Sequence, residues 1–201
     1  MKYFTQMEGS QEIEILLSSK RVSVYKKINA NNWFAEYKKD IELGKSFYEK
    51  FHFVEIFLRN KIDNEFQKVF GSEWLLSGIP FARKERSKIQ RTIDILTEER
   101  KNIEHSNILS NLSFGFWVGL FHGFYHDTMW TRKHNLLKSI FPHLMAHERS
   151  LKQIEKELDV IRKLRNRVFH FEPLINSNTQ ECLALIEKYV RGIGGVVMGN
   201  K

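Results

Sequence analysis

Cysteine is almost missing from this chain. Cys182 is the one cysteine in 201 residues, which excludes an intrachain disulfide framework and a cysteine-built zinc cage and fits a reducing compartment. Proline occurs only at Pro80, Pro142 and Pro173, and glycine eleven times, too few for a collagen-like, proline-rich or linker-dominated protein. Long hydrophobic runs are absent too. The most apolar window, Leu112 to Phe121, is broken by Ser113, Gly115 and Gly119, and a helical membrane span needs about twenty such residues. Met1 to Ser10 lacks the continuous apolar stretch of a secretory leader. These absences lead us to expect a soluble, cytoplasmic protein with no membrane partner.

What is present is aromatic and basic. Sixteen Phe, six Tyr and four Trp sit in a chain that is 42% hydrophobic, long enough for one domain that hides roughly 70% of its unfolded surface. Thirty-two Lys plus Arg against 24 Asp plus Glu leave a net charge of +8 and a pI near 9.5. Such an excess favours a polyanionic partner, because each neutralised phosphate releases condensed counterions. An ordinary basic surface is the alternative.

The periodicity is helical throughout. Short helices are expected from Ser10 to Leu17 and, capped by Ser18 or Ser19, to Ile28. A long one is expected from Trp33 to Phe70, where Phe47, Phe51, Val54, Phe57 and Leu58 recur at intervals of 3 or 4 and Gly71 provides the stop. Further helices are expected over Lys84 to Lys101, Asn107 to Phe124, Thr128 to Ile140, His147 to Phe171 and Thr179 to Val190, the last leading into a loose glycine-rich tail. The stripe of the helix before Pro173 runs Ile154, Leu158, Ile161, Leu164, Val168, Phe171. No segment alternates with a period of two. The fold class is all-α, most simply a helical bundle.

One run carries chemistry. Arg162, Lys163, Arg165 and Arg167 place four cations with no acid among them, and His170, Phe171, Glu172 and Pro173 follow closely. At about 100° per residue Asn166 and His170 share a helix face, and Arg165 lies roughly 140° from His170. Such residues suit metal-free RNA cleavage. A histidine exchanges protons near neutral pH, and an arginine offers a planar charged fork to phosphate oxygens. One imidazole cannot easily make both proton transfers, which suggests two copies of the motif around one cleft. The plainer alternative is a set of cations satisfying the last carbonyls of a helix.

The segment Arg165-Asn166-Arg167-Val168-Phe169-His170 resembles the Arg-x4-His signature of the HEPN superfamily, and Phe171-Glu172-Pro173 is similar to its Abi-like (abortive infection) branch. Two further blocks resemble that branch: Tyr37 to Asn60, ending Phe51-His52-Phe53-Val54-Glu55-Ile56-Phe57-Leu58-Arg59-Asn60, and Leu112-Ser113-Phe114-Gly115-Phe116-Trp117 with Leu120-Phe121. The resemblance covers roughly residues 10–190 and implies a HEPN-type bundle of long core helices with additional short ones. It implies an N-terminal helical extension over 1–30, the HEPN/Abi-like domain over 31–191 and a flexible tail over 192–201. It further implies a homodimeric, metal-independent endoribonuclease serving as a toxin in antiphage defence or a toxin–antitoxin pair, controlled by an antitoxin or a structured small RNA. Arg165 and His170 match the catalytic pair and Asn166 its polar neighbour. The rival is a non-catalytic RNA-binding helical module.

Other clusters are less specific. Glu55, Arg59 and Asn60, with Glu172, are candidates to support the cleft, or form a structural ion pair with polar neighbours. Arg83, Lys84, Arg86, Lys88 and Arg91, with Arg162, Lys163 and Arg167, are candidate contacts for an RNA backbone, or solvated helix faces. His122 with His126 and His143 with His147 have i,i+4 spacing, but neither pair has the Glu that a metalloprotease motif requires after its first His. The expectation is no metal and no other cofactor.

Overall fold

Side-chain periodicity decides the architecture. The computed structural model describes residues 11–133 and 135–196, and every regular element among them is helical. The fold is all-α, built on long helices with additional short ones: α1 Gln11–Leu17, α2 Ser19–Lys26, α3 Trp33–Phe70, α4 Arg83–Glu98, α5 His105–Asn111, α6 Phe114–Gly119, α7 Leu136–Ile140, α8 Leu151–Phe169 and α9 Thr179–Gly194. Among the described residues no helix is long and apolar enough to cross a membrane. The chain forms two compact units.

The first unit joins the residues up to Lys50 with Leu164–Thr179. Ile13, Val22, Tyr25, Trp33 and Phe34 form its buried cluster, with Leu17, Tyr37 and Ile175 packed around it. The N-terminal helices thus share a core with the start of α3. Asp40 ties this unit together: it accepts the Tyr25 hydroxyl at 2.9 Å and the Leu174 backbone N–H at 3.0 and 3.2 Å. Burial and then the Asp40 hydrogen bond push the Tyr25 hydroxyl pKa well up, which keeps it a donor. Ser18 stands before α2 without a side-chain capping bond; its backbone instead turns at a φ of 67°.

The second unit comprises Phe51–Lys163 and the residues from Gln180 on. Of the expected α3 stripe, Phe51, Val54 and Leu58 are buried in this unit and Phe57 is half-buried, while Ile62 and Phe66 extend the buried face; each fully buried side chain of this kind contributes about 1.5–3 kcal/mol. Asp63 on the same helix accepts the Trp74 indole N–H at 2.8 Å and lies 2.6 Å from His105 Nε2. Phe121 stacks on Trp130, centroids 4.8 Å apart.

Several expected helices are broken. The aromatic stretch splits into α5 and α6 because Leu112 and Ser113 are extended. The stretch before Pro142 begins with a π-helical turn, His126–Trp130, closed by the Thr131 N–H donating to the His126 carbonyl at 2.8 Å. At the C-terminal side the difference is reversed. The glycines expected to open the tail at Gly192 form the last turn of α9. A Cβ at Gly192 would lie 2.7 Å from Leu144 Cδ2, so glycine is what lets Leu144 approach. The rest of the expected tail, 197–201, lies outside the described residues.

Candidate active site

The cationic run closes α8. Ile154, Leu158, Ile161 and Leu164 are buried as the stripe predicts, but Phe171 is 78% exposed and leaves it. The helix stops two residues earlier than expected, at Phe169, by a backbone device. The Phe171 N–H donates to the Val168 carbonyl at 3.1 Å and the Glu172 N–H to the Arg167 carbonyl at 2.9 Å. That pair of bonds requires a left-handed residue between them, normally glycine. Phe171 takes that position with φ at 56°, a conformation that costs a side-chain-bearing residue about 1–2 kcal/mol.

The motif residues sit on this turn. His170 is exposed, and its N–H donates to the Asn166 carbonyl at 2.9 Å, so helical register persists to His170 and keeps the two on one face. Arg165 is half-buried, and its guanidinium lies over the Phe169 ring, 4.3 Å from the centroid. The fork thus rests one turn along its own face. Arg167 turns inward, donating to the Pro173 carbonyl, with its Nε 3.7 Å from Glu172. Those contacts fasten the turn and engage two of the residues expected to meet RNA or line a cleft.

Beside the turn the first unit holds a cavity of about 720 Å³. Val168, Phe169, Phe171 and Glu172, on either side of His170, line it together with Tyr25, Tyr37 and Tyr48. The rings of Tyr48 and Phe169 are 6.0 Å apart. Sequence periodicity did not reveal this cleft, because its residues come from three stretches of chain and Tyr48 is exposed on α3.

The other candidates belong to the second unit. Arg162 makes a two-nitrogen contact with Asp159 Oδ1, at 2.9 and 2.6 Å, and Lys163 Nζ lies 2.9 Å from Asp159 Oδ2. Burial alone would raise the Asp159 pKa; the hydrogen bonds from Lys163 and Arg162 outweigh it and hold the carboxyl below its ordinary range. The run therefore has its acid one turn upstream, a signal legible at i,i+3 and i,i+4. Arg59 Nε donates to Asn60 Oδ1 at 3.2 Å, and Glu55 is half-buried.

On α4, Arg83, Lys84 and Arg91 are exposed, and Arg86 donates to the Phe81 carbonyl at 2.9 Å. Lys88 points inward, donating to the Gly115 carbonyl at 2.8 Å with Glu85 3.5 Å away. Burial lowers its pKa against the pull of Glu85. His122 and His126 meet a carboxylate that the spacing did not reveal: Glu155 lies 2.8 Å from His122 Nδ1 and 3.4 Å from His126 Nε2. Among the described residues no group of three or more His, Cys, Asp or Glu is placed to hold a metal ion.

Comparison with family models, curated proteins and solved structures finds no match to this chain.

Proposed function

We propose that this chain is a metal-independent endoribonuclease of the HEPN superfamily, of Abi-like type, working in the cytoplasm as the toxin of an antiphage or toxin–antitoxin system. The observation that carries the reading is the exposed His170 at the end of α8, with Asn166 on its face and Arg165 five positions before it. The three sequence blocks resembling that branch, in the same order, support it, as does the net charge of +8.

In this mechanism one imidazole takes the proton of a ribose 2′-OH. The freed oxygen attacks the adjacent phosphorus, the bond to the 5′-oxygen breaks, and a second imidazole returns a proton to that leaving group. The products are a 2′,3′-cyclic phosphate and a 5′-hydroxyl. Arg165 leaves its resting place on Phe169 to meet the extra negative charge on phosphorus, and Asn166 positions His170. The second imidazole is His170 of another copy, so the working form is a homodimer, restrained by an antitoxin or a structured small RNA.

Mixing tests this directly. Excess inactive His170→Ala protein should poison wild-type cleavage of labelled RNA, because mixed dimers hold one imidazole where two are needed. Cleavage unaffected by mixing would contradict the shared site. A second reading, a non-catalytic RNA-binding helical module, draws on the resting position of Arg165 over Phe169; binding of RNA without any cleavage would favour it.

A further inference from the structure

Three large rings stand in water beside the motif, and one is held there at a conformational cost. Phe171 is 78% exposed, Tyr48 63% and Phe169 38%, and all three line the cavity of about 720 Å³. That volume lies within the roughly 300–1,000 Å³ range of pockets that receive small-molecule ligands. Phe171 holds its exposed place with a left-handed backbone that glycine would adopt without strain. Strain and exposed aromatic surface together mark a place built for contact.

The charges around the cleft select the occupant. Arg21 and Lys45 border it, Lys45 with its Nζ 2.7 Å from the exposed Glu42, and Arg165 lies on the Phe169 ring that forms part of its wall. The two acids of the lining are engaged within the protein: Asp40 by the Tyr25 hydroxyl and the Leu174 N–H, Glu172 by Arg167. Flat π-faces with the guanidinium groups of Arg21 and Arg165 beside them fit a nucleobase flanked by phosphates. A base inside a duplex has no open face to offer.

We infer that this cleft is a stacking subsite that takes an unpaired base of single-stranded RNA against the exposed rings of Phe171 and Tyr48, next to the bond to be cut. The inference rests on the ribonuclease reading for its substrate, and adds where an unpaired base of that substrate is held. The base stacks, its phosphates meet Arg21 and Lys45, and the next phosphodiester is presented to His170. Because π-faces are common to all bases, the subsite fixes position more than sequence.

Fluorescence anisotropy of the full chain with a fluorescein-labelled 2′-O-methyl oligoribonucleotide tests the subsite without chemistry, since that probe lacks the nucleophilic hydroxyl. Phe171→Gly and Tyr48→Ala should each weaken binding by about fivefold to a hundredfold. Phe171→Trp should bind within about twofold of wild type. An abasic oligonucleotide of equal length should bind weakly, and equally so, to wild type and Phe171→Gly. Phe171→Gly relieves backbone strain, so an unchanged or raised Tm shows that its loss of affinity is not unfolding.

Unchanged affinity in both weakening variants, or abasic and base-bearing probes bound alike, would overturn the subsite. So would a Phe171→Gly protein that loses self-association in sedimentation while keeping its RNA affinity, since the cleft would then seat a second copy. If the variants weaken binding as described but unmodified RNA is never cleaved, the subsite stands and the nuclease reading falls. Cleavage by a protein whose aromatic variants bind normally gives the reverse.

Discussion

At the scale of single residues, one tight constraint sets a glycine against a buried acid. A Cβ on Gly119 would lie 2.7 Å from Glu85 Oε1 and 3.3 Å from its carboxyl carbon. Glu85 is 3% exposed and cannot swing away cheaply: it accepts the Tyr125 hydroxyl at 3.2 Å, which in turn accepts the Ala82 N–H at 3.1 Å. Gly119→Ala should therefore destabilise the protein by about 1–3 kcal/mol in urea unfolding. Gly123 has nothing within 4 Å of its would-be Cβ, and Gly123→Ala should be neutral or stabilising by up to about 1 kcal/mol. Equal effects from the two would contradict the packing described for Glu85. The sequence shows Gly119 only as a break in the apolar window Leu112 to Phe121. It could not name Glu85 as the group packed there, because the two lie far apart in the chain and no local periodicity links them.

At the scale of elements, helix ends explain both what the sequence revealed and what it hid. The span of α3 was legible to the residue because apolar side chains recur along it every third or fourth position and Gly71 supplies a left-handed stop, φ 93°. Arg100 after α4, φ 55°, and Phe171 after α8 are left-handed stops that no composition rule marks. Arg100 shows the same paired bonds, its N–H to Thr97 at 3.0 Å and that of Lys101 to Leu96 at 2.8 Å. Arg100→Gly should thus raise stability by about 1 kcal/mol, a Tm gain of roughly 2–4 °C for a chain of this size. A lower Tm would contradict the assignment.

A second element-level device fastens α9 to α8. Glu157 accepts Lys188 Nζ at 2.8 Å and the Tyr189 hydroxyl at 2.7 Å. Burial raises the Glu157 pKa, but the bonds from Lys188, Tyr189 and Gln153 outweigh it and hold the carboxyl below its ordinary 4.5. A carboxylate depressed in the folded state contributes stability that is complete above its unfolded pKa and is lost as pH falls through the folded one. Stability should hold from pH 7 to about 5 and decline below about 4. Glu157→Gln should lower stability at pH 7 by about 1–3 kcal/mol and reduce the decline in acid. An acid limb unchanged in that variant would assign it to other carboxylates such as Asp159 and Glu65, which are depressed in the same way.

For the whole molecule, charge and one titratable side chain frame the account. The motif was legible because Arg165, Asn166 and His170 are close in sequence and one helix carries them. The aromatic cleft was not, since it assembles from α2, α3 and the end of α8 with the turn that follows it, and the inward turn of Lys88 depends on a carbonyl from α6. The most direct measurement is the rate of cleavage of labelled RNA in excess EDTA by wild type, Arg165→Ala and His170→Ala. Wild-type cleavage should persist in EDTA and leave 2′,3′-cyclic phosphate ends, with losses of about 10²-fold or more in both variants. Cleavage abolished by EDTA, or retained within a few-fold in His170→Ala, would contradict the proposed mechanism.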